Sequence, residues 1–293
     1  MIEFHQLSKH YGRIEALKQV SFMVPKGTVF GILGPNGSGK TTMLGILMDV
    51  LKPNSGHCSL DGAPIGSDQR RLMGALLETP NFYHYLSAQD NLRIAAEIKQ
   101  RGKEDIDRVL HQVGLYHRKD TPFSTYSLGM KQRLAIASAL LGDPDILVLD
   151  EPTNGLDPVG IAEIRDLIKS LSSEGKTILL ASHLLDEVER VCDHVAILKY
   201  GSLLASGPVS SILPKGALIE LSSDQHEMLA NAISGYNGLI KLENQNDHFL
   251  MHMDSDQVNL SDINRFCFEK GIVLSQLNLR KKSLEKTFLE LTH

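Results

Sequence analysis

Only three cysteines, Cys58, Cys192 and Cys267, occur in this 293-residue chain, and no two share a CxxC spacing. Such a set cannot form a complete disulfide framework, which excludes a small disulfide-stapled secreted fold and points to a reducing compartment. Long apolar runs are missing as well. The longest, such as 146–149 and 178–181, are strand-length and far below the roughly 20 residues that a membrane helix needs. The first residues, MIEFHQLSKHYG, place charges where a secretion signal would carry its apolar core. No excess of basic charge exists either: the net charge of −5 supplies no global field for nucleic acid, which is therefore not expected as a partner. Neither an internal repeat nor a low-complexity tract appears. What remains is a chain with 42% hydrophobic residues, long enough for one large domain and one small one. The expectation is a soluble, cytoplasmic protein that meets any membrane by docking.

The pattern along the chain separates those two domains. Residues 2–7 and 20–24 alternate like antiparallel strands, and 29–33 is a buried strand that ends in glycine-rich sequence. Helical periodicity follows at 42–51, 88–99, 104–113, 128–141 and 159–172, with strand-length runs at 146–149, 177–181 and 195–198. Alternating strands and helices predict an α/β sheet with an antiparallel rim at its start. The turn-rich stretch GPVSSILPKG at 207–216 ends the alternation. Beyond it, strands at 217–221, 238–242, 249–253 and 272–279 and helices at 226–233, 261–270 and 284–291 read as βαββαβ plus a final helix. That order predicts a small ferredoxin-like α+β module. The expected boundaries are 1–215 for the large domain and 216–293 for the accessory one.

Residues 34–41 read GPNGSGKT, a match to GxxxxGK[ST] between an apolar strand and a helix. Glycines let successive backbone N–H groups curl around phosphate oxygens, and the following helix turns its positive end toward the anion. Gly34, Pro35, Asn36, Gly37, Ser38, Gly39, Lys40, Thr41 and the adjoining Thr42 are therefore read as the binding loop for ATP. Lys40 reaches the terminal phosphates, and the Thr41 hydroxyl is a ligand for Mg²⁺. The other reading, a glycine-rich turn with a solvated lysine, does not explain the strand–loop–helix context.

Residues 145–152 read DILVLDEP, an apolar strand that delivers two carboxylates at its C-terminal edge, where ligands of parallel sheets bind. Asp150 is the expected Mg²⁺ partner, and Glu151 the base that polarises the attacking water. Taken alone, the segment reads equally well as an acidic turn capping the next helix; beside a phosphate loop it reads as a nucleotide site.

Residues 126–133, YSLGMKQR, narrow the class. They precede DILVLDEP by one helix and resemble the LSGGQ signature of ATP-binding cassette proteins. Ser127 and Gly129 match that signature, while Leu128 and Met130 depart from it, as in the branch of drug, bacitracin and lantibiotic-type exporters. The resemblance implies a phosphate-loop fold with a helical subdomain at about 80–140, ATP as ligand and ATP hydrolysis as activity. It implies that Ser127 and Gly129 meet the γ-phosphate held by another subunit, that Tyr11 stacks on adenine, and that His183 is the switch histidine. Asn154 to Asp157, NGLD, resemble the loop that links two subunits. Glu78 stands where most members carry a glutamine that touches Mg²⁺ and the membrane subunit.

One phosphate loop and one signature in one chain then imply an ATP-sandwiched homodimer, or pairing with a different cassette subunit. The same resemblance implies an integral membrane permease as partner. Phe82, Tyr83 and Tyr85 fit either its docking groove or the core of the helical subdomain. Exporter ATPase is the leading expectation; an importer ATPase, a soluble cassette ATPase acting on ribosomes or DNA, and a phosphate-loop kinase are the alternatives. The accessory module fits a dimerisation brace, a regulatory site or a spacer.

Overall fold

A computed structural model describes residues 1–77, 81–212, 216–245, 247–255, 257–280 and 288. Contacts divide the chain into two compact units, 1–209 and the residues that follow. None of the helices among the described residues is long and apolar enough to cross a membrane.

The first unit is built around a six-stranded sheet in the order Ser202–Pro208, His194–Lys199, Val29–Leu33, Thr177–Ser182, Ile146–Asp150 and Met73–Leu76. The last five strands run parallel, and Val29–Leu33 and Thr177–Ser182 are buried along their whole length. Strands covered on both faces have to be apolar throughout, which is why VFGIL and TILLAS carry no alternation. The antiparallel strands Ile2–Tyr11 and Ile14–Val24 join Ser55–Leu60 and Ala63–Pro64 in a separate four-stranded sheet, so the antiparallel part is a layer of its own and not a rim.

Helix Lys40–Leu47 lies between these layers. Its Met43, Leu44 and Leu47 share one buried core with Phe4 and Phe22 of the antiparallel sheet and with Phe30, Ile32, Val148 and Leu179 of the parallel one. Phe22 bridges Phe4 and Phe30, with ring centroids 4.6 and 5.3 Å away. Burying three such aliphatic side chains contributes about 1.5–3 kcal/mol each, so the helix behind the phosphate loop is held rigidly.

Helices Ala88–Lys99, Ile106–Gln112 and Leu128–Leu140 form a helical layer beside the sheet. Ser87 caps the first and Ser127 the third, each accepting a backbone N–H three residues on. Helix Pro158–Ser173 connects Ile146–Asp150 to Thr177–Ser182; Asp157 caps it and Pro158 fills its first turn, where a missing N–H costs nothing.

In the second unit the strands lie in the order Leu239–Gln245, His248–Met253, Leu218–Ser222 and Gln276–Arg280, all antiparallel. Helices His226–Ile233 and Leu260–Glu269 cover one face through Leu229, Ile233, Ile263 and Cys267, against Ile219, Leu221, Phe249 and Met251. This is the expected βαββαβ ferredoxin-like arrangement. Its last strand starts four residues later than the sequence pattern suggests, and the expected helix at 284–291 lies outside the described residues apart from Phe288.

Candidate functional site

Parallel register assembles the site. Leu33, which precedes the phosphate loop, pairs with Ser182, which precedes His183; Asp150 pairs with Ala181. Three strand ends thus finish side by side at the C-terminal edge of the sheet, where this class of fold binds its ligands. The Glu151 N–H continues the ladder by donating to Ala181 O at 2.9 Å.

Glu151 itself sits at φ +47°, in the left-handed region that a side chain rarely adopts. Such a position costs on the order of 1–3 kcal/mol and persists where surrounding contacts over-determine it. Here those contacts are Lys40 and His183. Glu151 Oε1 is 3.3 Å from Lys40 Nζ, and Oε2 is 2.7 Å from His183 Nδ1. The lysine side chain is only 5% exposed and also donates to Gly34 O at 2.8 Å and Pro35 O at 3.4 Å. Ammonium, carboxylate and imidazole therefore form one contiguous row.

The loop itself is backbone-tight. Gly39 has φ +106° and precedes helix Lys40–Leu47; a Cβ there would lie 2.5 Å from Ala16 O. That residue cannot carry a side chain, and its conformation turns the first helical N–H groups outward. Pro35, Asn36 and Gly37 are exposed, whereas the Ser38 hydroxyl is buried without a hydrogen-bond partner. Helix geometry starts at Lys40, two residues before the apolar period suggests. Thr41 is exposed on its first turn, with Thr42 half-buried beside it, and Asp150 is buried at the neighbouring strand end. A threonine hydroxyl and a carboxylate are hard oxygen donors of the kind that Mg²⁺ takes. Tyr11 ends strand Ile2–Tyr11 with an exposed ring, 5.3 Å below the Lys9 ammonium. Glu78 lies outside the described residues.

Ser127 and Gly129 stand at a different place. Ser127 Oγ accepts the Met130 N–H at 3.3 Å, and a Cβ on Gly129 would meet nothing closer than 3.9 Å. They open on a groove of about 470 Å³ lined by Leu128, Met130, Gly155, Leu156, Val159 and Gly160 among others, and by no residue of the phosphate loop. Leu128 and Val159 are exposed there, at 50% and 66%. The fold thus brings Lys40, Glu151 and His183 together and sets Ser127 and Gly129 apart from them.

A second groove, about 730 Å³, runs along the helical layer between Phe82, Tyr83 and His84 on one side and Ile94, Ala95 and Ile98 on the other. Phe82 turns inward and packs edge-on against Phe123 at 5.2 Å, while Tyr83 and Tyr85 are exposed. Buried Asn91 holds this aromatic turn. Its Nδ2 donates to Tyr83 O, Leu86 O and Ser87 O, and its Oδ1 accepts the Tyr83 N–H at 2.8 Å. Sequence reasoning passed over Asn91; an asparagine at the core-facing period of a helix is the signal that marks it.

Comparison with known proteins gives the family. The family described as ABC transporter matches residues 17–154. The bacitracin transport ATP-binding protein BcrA of Enterococcus faecalis is 34% identical over 99% of this chain and 96% of its own length. The lantibiotic transport ATP-binding protein SrtF of Streptococcus pyogenes is 40% identical over 70% of this chain and 89% of its own. Among solved structures, a dimeric post-hydrolysis state of the ATP-binding cassette MJ0796, bound to ADP and phosphate, superposes with a TM-score of 0.63 at 27% identity, covering 71% of this chain and 99% of that one.

Proposed function

The chain belongs to the ATP-binding proteins of ABC transporters and is an ATPase, and from this membership we propose that it drives export of a peptide antibiotic or drug through a separate membrane subunit. The observation that carries the mechanism is the register that ends three strands side by side at Leu33, Asp150 and Ser182, where Lys40 after the loop, Glu151 and His183 meet.

In that mechanism ATP lies along the loop from Gly34 to Thr42, with adenine against Tyr11. Backbone N–H groups and Lys40 hold the phosphates. Thr41 and Asp150, with Glu78 as a further carboxylate, would hold Mg²⁺, which would supply positive charge against the triphosphate. Glu151 accepts a hydrogen bond from water in line with the γ-phosphorus. His183 fixes the carboxylate through its 2.7 Å contact and faces the same phosphate. Attack gives ADP and phosphate, and the proton leaves through Glu151. A positioned base of this kind contributes typically 10²–10⁴-fold in rate.

Ser127 and Gly129 serve the ATP of a second copy. Their groove contains no phosphate-loop residue, its rim is apolar, and a two-fold pair of chains closes two equivalent sites. ATP closes the pair and hydrolysis opens it. Residues 1–215 form the ATP-binding domain in this reading and 216–293 an accessory domain. The groove at Tyr83 and Ile98 seats the membrane subunit, and through it the protein sits on the inner face of the membrane. Exposed aromatic side chains beside a concave apolar wall suit such an interface.

Recovery of the tagged chain from detergent-solubilised membranes tests the assignment. The expected result is an integral membrane protein in stoichiometric amount, lost in Ile98→Asp. Recovery with ribosomes and no membrane protein would refute the transport role.

A further inference from the structure

Helix Ala88–Lys99, which lines the large groove with Ile94, Ala95 and Ile98, ends in an unusual way. Lys99 extends its ammonium onto the last turn of helix Leu128–Leu140, donating to Ser138 O at 2.6 Å and Ala139 O at 3.3 Å. Gln100 then adopts the left-handed conformation, and Arg101 donates to Gly142 O and, at 3.2 Å, to Arg71 O. Asp105 closes the arrangement from the next helix by accepting the Gly142 N–H at 2.9 Å.

The two backbones touch as well. Gly102 and Gly142 have φ of +80° and +79°. A Cβ on Gly142 would fall 2.0 Å from Arg101 Nε, and one on Gly102 would fall 2.3 Å from Gly142 N. The left-handed backbone disfavours a side chain at both positions, and at Gly102 the backbone of Leu141 and Gly142 leaves no room for one, so the segments 99–102 and 138–142 lie in close contact. The carbonyl contacts keep the Lys99 ammonium out of solvent, and that burial pushes its pKa down to about 8, with Arg101 adding to the shift.

The gripped segment occupies a particular place in the chain. Helix Leu128–Leu140 starts at Ser127, and the turn after it feeds strand Ile146–Asp150, which delivers Asp150 and Glu151. A helix is stiff: a displacement at Ser138 reappears at Ser127, roughly 16 Å away at 1.5 Å per residue. A lysine that only capped a helix end would need neither the paired glycines nor the arginine beside it.

We propose that Lys99 and Arg101 form a clasp that transmits occupancy of the Tyr83–Ile98 groove to Ser127 and to Glu151, and that both act as positioning residues. The inference rests on reading that groove as the seat of the membrane subunit and Ser127 as a ligand of the second copy's ATP. The clasp makes the groove helix and the signature helix move as one body, so that a partner pressing on Ile98 re-aims Ser127.

The test uses the full chain with Lys99→Met, Lys99→Arg and Arg101→Lys. In the isolated chain, single-site ATP affinity stays within about twofold of wild type in all three, because Lys40 and its loop are not touched. ATP-driven pairing, followed by light scattering, weakens at least tenfold in Lys99→Met and Arg101→Lys, and Lys99→Arg restores most of it. With the membrane partner bound, Lys99→Met keeps the partner but loses at least tenfold of the stimulated turnover. Unchanged pairing together with unchanged stimulation in Lys99→Met and Arg101→Lys overturns the clasp. Failure of the wild-type chain to bind any membrane protein overturns the reading of the groove instead, and the pairing measurement still decides the clasp. If Lys99→Met does not fold, Arg101→Lys, which keeps the charge, carries the same comparison.

Discussion

Glu151 and His183 lie 2.7 Å apart between Oε2 and Nδ1, while the second Glu151 oxygen faces the Lys40 ammonium at 3.3 Å. The carboxylate is thus gripped from both sides, and each oxygen has one assigned partner. A base held in this way has its direction set before any reaction begins. His183→Ala removes one grip and leaves the phosphate loop intact. The expected outcome is a fall in kcat of about 10²-fold or more with ATP affinity unchanged within a factor of about two. Steady-state kinetics and equilibrium binding of ATP, measured side by side, check it; weaker binding with kcat unchanged would place His183 in binding alone.

Asn91 makes a second prediction. Its amide satisfies the Tyr83 N–H and three carbonyls of the turn, and only 2% of the residue is exposed. Asn91→Ala takes the acceptor from the Tyr83 N–H, a loss of about 1–3 kcal/mol if it stays unpaired, while Tyr83 O, Leu86 O and Ser87 O keep the backbone N–H groups of Leu86, Phe123 and Asn91. A lowered Tm is expected, together with loss of the membrane partner in pull-down, while ATP affinity stays at the wild-type value. Full partner recovery by the variant would mean that the aromatic turn is not the docking element.

The accessory unit titrates through Glu220. Arg280 donates to both of its oxygens, at 2.7 and 2.9 Å, and His248 Nε2 lies 3.3 Å from Oε1. The Arg280 hydrogen bonds first, and then the charges of Arg280 and His248, hold the Glu220 carboxyl below its ordinary value of 4.5. A carboxylate whose folded pKa is depressed stabilises the fold above its unfolded pKa, and that stability is lost as pH falls through the folded value. Glu220→Gln is therefore expected to melt earlier than wild type at pH 7, with the gap closing as the pH is taken below about 4.5. Thermal melts across that range check it. A gap independent of pH would assign the effect to packing.

Much of the catalytic geometry is legible in sequence because buried parallel strands write themselves as unbroken apolar runs. VFGIL, ILVLD and TILLAS each lead straight into their functional residue, and the structure extends those runs by at most two residues. Other elements leave no such mark. Met73–Leu76 reads MGAL, too short and too small-sided to stand out, and Ser55–Leu60 buries only Cys58 and Ser59 well. Helix Leu185–Val191 follows His183 after one residue and has only seven residues, so its period never establishes itself. Apolar periodicity places the start of helix Lys40–Leu47 two residues late, because Lys40 and Thr41 are polar. Lys99 gains its contacts only from carbonyls 39 and 40 residues further along the chain, which no local pattern encodes.

In the proposed cycle Ser127 completes the ATP site of another copy, and Glu151 turns that closed pair over. The direct measurement is the mass of Glu151→Gln by light scattering, with and without ATP and Mg²⁺, beside its turnover. Twice the monomer mass with nucleotide, reverting when nucleotide is removed, and turnover at least 10²-fold below wild type are the expected results. A variant that stays monomeric at saturating ATP and hydrolyses it at the wild-type rate would contradict both the shared site and the base assigned to it.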